Sequence, residues 1–352
     1  MTRVAIDATA LVAGSTGVAR YAAELLRGLE RHGDLDVAPF AIGRGPTPPQ
    51  DVRRVRVPLR AVQPLWRRTG LPRAEHLVGG CDVFHSLDIV PAPTRRRLVV
   101  TVHDVLPLTI PHRYEDRQRR MIEAQAAALP GADLVVTDCD ATKREIVERT
   151  AVRAERILVA PLGHRTPSAI APPPPRPRPY LLGVGSITPR KGFQVLADAV
   201  ARLGADAPPV VIAGPDGWRA DEVRSEVRRL GVADRVTFLG RVDDDALEAL
   251  YRHAIALCHP SEAEGFGIPV LEAMGYGTPI VAGDIPPVRE VAGDAAVLVP
   301  PGDGEALAEA IRTLVGDDAD RARRAALGRA RAATMTWQRT ADLVADGYRS
   351  LI

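Results

Sequence analysis

Cysteine is scarce in this chain, and the few cysteines have no functional spacing. The 352 residues include three, Cys81, Cys139 and Cys258, which lie far apart and lack the spacing of a metal site. Each lies in or beside an apolar run, so we expect free, buried thiols in a reducing compartment. The spacing therefore supports neither a disulfide framework nor a cysteine-ligated metal.

Long apolar runs are also absent. No uninterrupted stretch approaches the roughly 20 apolar residues that a membrane-spanning helix needs. The N-terminal segment 1–7 becomes acidic too early for a signal peptide, so we expect a cytoplasmic protein.

The charge is not strongly one-sided. The formal net charge is +2, the pI is about 8.5, and both signs are interspersed, which argues against a dedicated nucleic-acid binder. Arginine clusters at 67–68, 95–97 and 117–120 are compatible with peripheral contact to anionic lipid headgroups, at the inner face of a membrane, or with a solvated surface.

Short apolar runs alternate with amphipathic segments in both halves of the chain, which is typical of parallel α/β layers. In the first half the predicted strands are 4–6, 83–85, 98–102 and 134–137. The proline-rich segment 167–179 cannot join a sheet and is the predicted boundary. We therefore predict an N-terminal domain over 1–166, a linker over 167–179 and a C-terminal domain over 180–336. The amphipathic segment 337–352 is a helix that can pack on either domain.

Residues 259–277 carry the most informative pattern. The apolar run over 254–258 precedes them and is predicted to form a short buried strand. Pro269 suits the first turn of a helix over about 268–274. Gly265 and Gly267 lie in the turn before that helix, where the missing side chain lets backbone N–H groups approach a ligand closely. A helix N-terminus of this kind attracts phosphate, so we predict an anion site.

Two carboxylates flank the predicted anion site. Glu264 lies on the loop and Glu272 about one turn into the helix, so the two acids can reach different parts of one elongated ligand. Because a carboxylate repels an anion, the pair makes chemical sense if it accepts hydrogen bonds from sugar hydroxyls. The alternative is an ordinary turn with a solvated Glu264 and a capping Glu272.

Two other glycine-bearing loops follow predicted strands. The loop over 14–17 can close over a phosphate or an acceptor, although it lacks the spacing of a dinucleotide fold or a P-loop. The loop over 185–192 places Arg190 and Lys191 at the carboxyl end of a strand, where open α/β sheets bind ligands. Arginine and lysine suit a diphosphate, whereas each loop alone is equally compatible with an ordinary surface turn.

His85 and His103 each end a predicted strand, where a histidine can bond a substrate or transfer a proton. A lone histidine is more commonly structural, and we favour His103 as the functional one. The acidic runs 138–140 and 243–245 each precede a helix, so we interpret them as caps and predict no metal requirement.

The segment 260–274, PSEAEGFGIPVLEAM, closely resembles the signature of glycosyltransferase family 4, two glutamates separated by seven residues. Other segments support the resemblance in the order that the family uses: 14–21 (GSTGVARY), 83–86, 101–106 (TVHDVL), 183–192 (GVGSITPRKG), 237–242 (TFLGRV) and 285–300. The resemblance covers nearly the whole chain.

This resemblance implies an α/β protein of the GT-B fold, with two facing Rossmann-like domains, parallel sheets and an interdomain cleft. The acceptor would bind mainly to the first domain and the nucleotide sugar to the second. The C-terminal helix 337–352 would cross back to the first domain. Transfer would need no metal and would retain the anomeric configuration.

By position, the resemblance assigns Glu264 to hydroxyls of the transferred sugar and His103 to the sugar near the reacting centre, so these two are the predicted catalytic residues. It assigns Glu272 to the ribose of the nucleotide sugar, and Lys191 and Arg190 to its diphosphate. The residues expected to contact the nucleotide sugar are Gly17, Ser186, Arg190, Lys191, Gly265, Phe266, Gly267 and Glu272.

Ser186 stands where many family members carry arginine, which removes one cation from the expected diphosphate clamp. The sequence there resembles a subgroup similar to GDP-mannose-dependent mannosyltransferases. We therefore expect GDP-mannose as co-substrate, no other cofactor, and a saccharide or lipid-linked saccharide as acceptor. The alternatives are a UDP- or dTDP-sugar transferred to a small molecule, a nucleotide-sugar epimerase, and a non-catalytic carbohydrate-binding protein.

Overall fold

Two parallel sheets organise the chain. The computed structural model describes residues 1–13, 17–43, 45, 51–87, 91–169 and 179–352. Unit 1 comprises Met1–Pro111, Asp116–Gly163 and Thr336–Ile352, and unit 2 comprises His112–Glu115 and His164–Met335. Gly14 to Thr16, and residues 170–178 of the predicted linker, lie outside the described residues.

Within its described residues, unit 1 contains a seven-stranded parallel sheet in the order β3-β2-β1-β4-β5-β6-β7. Its strands are β1 Thr2–Asp7, β2 Leu35–Ile42, β3 Arg53–Val55, β4 Val83–Ser86, β5 Arg97–Thr101, β6 Leu134–Thr137 and β7 Ile157–Val159. The strand order reverses between β1 and β4, and in open α/β sheets ligands bind at the carboxyl ends beside such a reversal.

The described part of unit 2 contains a six-stranded parallel sheet in the order β10-β9-β8-β11-β12-β13. Its strands are β8 Leu181–Val184, β9 Val210–Ala213, β10 Val236–Gly240, β11 Ala256–His259, β12 Ile280–Gly283 and β13 Ala296–Val299. The order reverses between β8 and β11, which are the two strands that precede the Arg190 and Glu264 loops. The predicted parallel α/β architecture is confirmed.

The helices connect and cover these strands. They are α1 Ala10–Ala13, α2 Gly17–Leu29, α3 Leu59–Thr69, α4 Ala74–Val78, α5 Leu106–Thr109, α6 Asp116–Ala128, α7 Asp140–Arg149, α8 Phe193–Leu203, α9 Ala220–Arg229, α10 Asp244–His253, α11 Ile268–Tyr276, α12 Pro286–Ala292, α13 Gly304–Gly316, α14 Asp318–Ala332 and α15 Trp337–Arg349. Among the described residues, none of these helices has both the length and the apolar composition required to cross a bilayer.

The C-terminal helix α15 is part of unit 1 and packs closely against α2. A side chain at Gly28 would place its Cβ 2.5 Å from the Cβ of Ala341, so glycine is required for this approach. Tyr348 of α15 is fully buried, and its hydroxyl lies 2.6 Å from Nδ1 of His85. The other ring nitrogen of His85 lies 2.7 Å from the hydroxyl of Thr101. His85 therefore bonds the helix to the sheet.

The buried His85 predicts a pH-dependent stability. Burial, with a smaller effect of the nearby His103, lowers the pKa of His85 to about 3. Since unfolding restores the ordinary value of 6.5, the unfolded chain binds the extra proton between these two pH values. Stability from this residue is complete above pH 6.5 and falls by about 1.4 kcal/mol for each pH unit below it.

Urea unfolding at pH 7 and pH 5 measures this effect. From pH 7 to pH 5 we expect the free energy of unfolding of the wild type to fall by about 2 kcal/mol more than that of a His85→Gln variant, because glutamine at this position does not titrate. An equal loss in the two proteins would contradict a neutral, buried His85.

Candidate functional site

The loop and helix after β11 form the core of the candidate site. Helix α11 begins at Ile268 with Pro269 in its first turn, as the sequence predicts, and it ends two residues beyond the predicted end. Gly267 caps the helix in the left-handed region, with φ of 101°, a conformation that favours glycine. The sequence-derived strand, turn and helix are therefore confirmed.

Glu264 is buried on this loop and lies among cationic groups of unit 2. Its Oε1 accepts a hydrogen bond of 2.6 Å from Nζ of Lys191, and its Oε2 lies 3.3 Å from Nη1 of Arg190. Nε2 of the buried His259, at the end of β11, lies 3.2 Å from the same Oε1. Glu264 and the basic pair Arg190 and Lys191, which the sequence places on two different loops, are therefore in direct contact.

The pKa values in this cluster follow from burial and charge. Burial alone would raise the pKa of Glu264, but Lys191, His259 and Arg190 together lower the pKa well below its ordinary value. Burial lowers the pKa of His259, and Lys191 and Arg190 lower it further, against the opposing effect of Glu264. The cluster is therefore an ionised carboxylate with two permanent cations and a neutral imidazole at neutral pH.

Two glycines shape the Arg190 loop, and Gly192 brings this loop against the Glu264 loop. Gly192 has φ of 72°, and a Cβ at this position would lie 2.0 Å from the carbonyl oxygen of Pro260. Gly185 has φ of 142°, and a Cβ there would lie 3.2 Å from Cε of Lys191. The lysine side chain therefore runs directly over the end of β8, and its ammonium group is held at the carboxyl edge of the sheet.

Replacing Gly192 with alanine is expected to destabilise unit 2. The left-handed conformation costs a non-glycine residue about 1–2 kcal/mol, and the clash with Pro260 adds about 1–3 kcal/mol. Gly231→Ala is a matched control, because Gly231 has φ of 69° but nothing within 4 Å of the added Cβ. Chemical denaturation should show a clearly larger loss of unfolding free energy for Gly192→Ala. Equal losses would contradict the close approach.

Glu272 lies in the middle of α11 and is buried. Its Oε2 accepts a hydrogen bond of 3.0 Å from the hydroxyl of Tyr251, which is on α10. Tyr251 stacks on Tyr276 with ring centroids 5.4 Å apart. Glu272 is therefore a buried carboxylate bonded to Tyr251 and not the capping residue of the alternative interpretation, and Glu264 is not solvated either.

The remaining predicted contacts of unit 2 lie on the same two loops. Phe266 is buried and Gly265 partly exposed, between Glu264 and the start of α11. Ser186 is exposed at the end of β8. The roles of these residues toward a nucleotide sugar stay predictions.

The predicted residues of unit 1 form a separate group. Gly17 is the exposed first residue of α2. His103 follows β5, and its Nδ1 lies 2.8 Å from Oδ2 of Asp138, which is 2% exposed and follows the neighbouring strand β6. The interpretation of Asp138 as part of a helix cap was wrong, because its carboxylate pairs with His103 and the N-cap is Cys139. Asp243 does cap α10, as predicted.

Sequence reasoning missed three residues of these groups, which are His259, Tyr251 and Asp138. His259 and Asp138 end or follow strands, as His103 does, and this shared position was a usable signal. Tyr251 offered no such signal, because its contact with Glu272 depends on how α10 packs beside α11.

Two family profiles together span most of the chain. Residues 15–166 match Glycosyltransferase Family 4, and residues 169–331 match Glycosyl transferases group 1. The chain belongs to glycosyltransferase family 4 and is a glycosyltransferase.

Characterised relatives carry related names. The chain is 29% identical over 283 residues to O-antigen chain mannosyltransferase B of Escherichia coli, which covers 76% of this chain and 74% of the relative. It is 31% identical over 309 residues to D-inositol 3-phosphate glycosyltransferase of Geodermatophilus obscurus, covering 78% and 68%. Phosphatidyl-myo-inositol mannosyltransferase of Mycobacterium leprae matches at 36% over 168 residues, which is 46% of this chain and 44% of the relative, less than two thirds of its length.

Solved structures agree in fold. Sucrose-phosphate synthase from Thermosynechococcus elongatus superimposes with a TM-score of 0.78 at 22% identity, covering 100% of this chain and 99% of the other. Anabaena Alr3699/HepE in complex with UDP and glucose gives 0.77 at 20% identity, with 100% of both chains covered. The chain has the GT-B fold, as the resemblance implied.

Proposed function

We propose that this glycosyltransferase moves mannose from GDP-mannose to a saccharide or lipid-linked saccharide, without a metal ion and with retention of configuration. The observation that carries the proposal is the buried Glu264, bonded to Lys191 and close to Arg190, directly before the N-terminus of α11. Relatives named mannosyltransferases favour mannose as the transferred sugar.

The two cations are suited to the diphosphate of the donor. Charge develops on the leaving diphosphate as the glycosidic bond breaks, and preorganised cations stabilise that charge without reorganising. Glu264 holds Lys191 and Arg190 in place, while its remaining lone pairs can accept hydrogen bonds from hydroxyls of the transferred sugar. In the proposal the protein's own cations act where other transferases use a divalent metal.

Retention is proposed to occur by attack from the face that the diphosphate leaves. A carboxylate nucleophile would be the ordinary explanation for retention. Glu264 is a poor candidate, because both its oxygens lie beside cations and its charge is stabilised. Mass spectrometry of the enzyme mixed with a fluorinated donor sugar tests this step, and a covalent glycosyl-enzyme would contradict it.

An NMR assay with several donors tests the proposed function itself. The enzyme is mixed with a mannosylated glycan and GDP-mannose, UDP-glucose or dTDP-glucose, with EDTA present. We expect transfer from GDP-mannose with an α-anomeric product, since the donor is an α-mannoside. An inverted product, a requirement for added Mg²⁺, or free epimerised sugar without acceptor would each contradict part of the proposal.

A second candidate is a UDP-sugar transferase that acts on a small acceptor. The structural neighbour solved with UDP and glucose favours this donor, and the name D-inositol 3-phosphate glycosyltransferase favours a small acceptor. The same assay decides between the candidates when inositol phosphate is included as an acceptor.

Peripheral membrane contact is part of the proposal for a lipid-linked acceptor. Arg95, Arg96 and Arg97 are exposed side by side on unit 1, so they can approach an anionic lipid surface. Co-sedimentation with vesicles that contain phosphatidylglycerol tests this contact. Protein that stays in the supernatant at low salt would contradict it.

A further inference from the structure

His103 and Asp138 are brought together by the sheet of unit 1. β5 and β6 are parallel neighbours, so the residues that follow them lie at the same edge. Nδ1 of His103 and Oδ2 of Asp138 are 2.8 Å apart, which is a charge-assisted hydrogen bond. The side chain of Asp138 is 2% exposed and that of His103 is 24% exposed, so water has limited access to this bond.

The imidazole of His103 is held on a second side. The ring of Tyr21 meets it edge-on, with centroids 4.7 Å apart and an interplanar angle of 83°. The Tyr21 hydroxyl lies 3.4 Å from the hydroxyl of Thr101, which in turn is bonded to His85. Both the position and the tilt of the His103 ring are therefore fixed by buried groups.

One ring nitrogen of His103, Nε2, has no hydrogen-bond partner among the described residues. This atom is also buried. A buried imidazole nitrogen without a partner costs stability, and a bond to a bound ligand is one explanation for such a group.

We propose that Asp138 is a positioning residue that keeps a proton on Nδ1 of His103, so that Nε2 is the atom that bonds a hydroxyl of the transferred sugar. This inference rests on the proposed function, because it assigns a sugar as the partner of Nε2. A neutral imidazole carries one proton, and the hydrogen bond made by one nitrogen decides which nitrogen carries it.

A purely structural role explains Asp138 less well. Its second oxygen, Oδ1, is also buried and has no partner among the described residues. Asparagine has nearly the same shape and can still hydrogen-bond Nδ1, and the His103 ring can become neutral, so Asp138→Asn leaves no unpaired buried charge. The loss of Glu264 beside Lys191 and Arg190 differs in this respect. We therefore expect Asp138→Asn to change stability little at neutral pH.

The charge state of His103 depends on several groups around it. Burial lowers the pKa of His103, but Asp138 and, to a smaller extent, Asp104 raise it, so that the net pKa is above its ordinary value. His85 is neutral, and Tyr21 is buried with its pKa raised, so neither adds a charge near neutral pH. Removing the Asp138 charge should lower the pKa of His103.

The test compares Asp138→Asn with Asp140→Asn, which removes a carboxylate two residues away whose side chain is exposed. Long-range ¹H–¹⁵N NMR of the histidine rings, without substrate, is expected to show His103 protonated at Nδ1 in the wild type and in Asp140→Asn. In Asp138→Asn the Nε2-protonated form should appear, because the amide can donate to Nδ1, and the titration should move to lower pH.

Kinetics supply the functional part of the test. For Asp138→Asn we expect kcat to fall by about 10- to 100-fold, with KM changed by less than about threefold. The thermal midpoint should match that of Asp140→Asn. An unchanged tautomer, an unchanged kcat, or a loss of activity that parallels a loss of stability would each overturn the inference. If the wild type transfers no sugar, the proposed function fails, while the NMR spectra still decide whether Asp138 sets the tautomer.

Discussion

Replacing Glu264 with glutamine is expected to reduce kcat for glycosyl transfer by about 100- to 1,000-fold. The carboxylate holds Lys191 at 2.6 Å and Arg190 at 3.3 Å, so its loss disturbs both cations in addition to the bonds to the sugar. Affinity for GDP alone should change little, because removal of a negative charge beside the proposed diphosphate position opposes the effect of loosening the two cations. A fall in kcat without a rise in the Kd of GDP is therefore the expected signature.

Two controls separate chemistry from folding in this experiment. Glu262→Gln alters a neighbouring glutamate on the same loop, which is paired with Arg113 and 26% exposed, and it should change kcat by less than about threefold. Breaking the buried pairs of Glu264 can cost about 3–5 kcal/mol of stability, so thermal melting must show that the variant is folded at the assay temperature. A folded Glu264→Gln protein with full activity would contradict the assigned role.

Replacing Lys191 with methionine is expected to weaken GDP-mannose binding by about 10- to 100-fold, the loss of one charge-assisted hydrogen bond. The fall in kcat/KM should be larger, because the diphosphate gains charge in the transition state. Lys143→Met is the matched control. Lys143 is the other lysine of the sequence, and its Nζ donates to the carbonyl of Ile157 in unit 1.

Arginine should not restore the function of Lys191. The lysine side chain passes close to Gly185, and its ammonium group is a compact charge. We expect the longer side chain and planar guanidinium of arginine to place the charge at a different point. Isothermal titration calorimetry measures the affinity for GDP-mannose of Lys191→Met, Lys191→Arg and Lys143→Met. Wild-type affinity in Lys191→Met, or its recovery in Lys191→Arg, would contradict the proposed position of the diphosphate.

Local features of the candidate site could be predicted from the sequence. Pro269 and Gly267 fix the start of α11 through backbone geometry, which depends only on neighbouring residues. Once the start of α11 is fixed, the positions of Glu264 on the preceding loop and of Glu272 in the helix follow from the sequence. The predicted strand over 254–258 began two residues too early, because Ala254 still bonds to the carbonyl of Leu250 and closes α10. Its predicted end was one residue before the end of β11 at His259.

Contacts between distant segments could not be predicted in the same way. Glu264 and Lys191 are 73 residues apart, and they meet because β8 and β11 are neighbours in the sheet. The strand order, which the periodicity of the sequence does not contain, decides this contact. The pairing of His103 with Asp138 likewise depends on β5 lying beside β6.

Three strands of unit 1, β2, β3 and β7, were not predicted, and for β2 the reason is local. β2 lies between β1 and β3 in the sheet of unit 1, yet it contains Pro39, which pairs in register with Ile6. Proline has no N–H to donate to a sheet and is uncommon away from edges. Its presence makes the segment 35–42 look unlike an inner strand.

The most direct test of the central claim is a thermal-shift panel of GDP, UDP, dTDP and ADP with their common sugar conjugates, without divalent metal, on the wild type and Lys191→Met. We predict selective stabilisation of the wild type by GDP and GDP-mannose and a much smaller shift in the variant. A preference for another base would contradict the mannosyl donor. The absence of any shift in the wild type, or equal shifts in both proteins, would contradict a nucleotide-sugar site at Lys191 and Glu264.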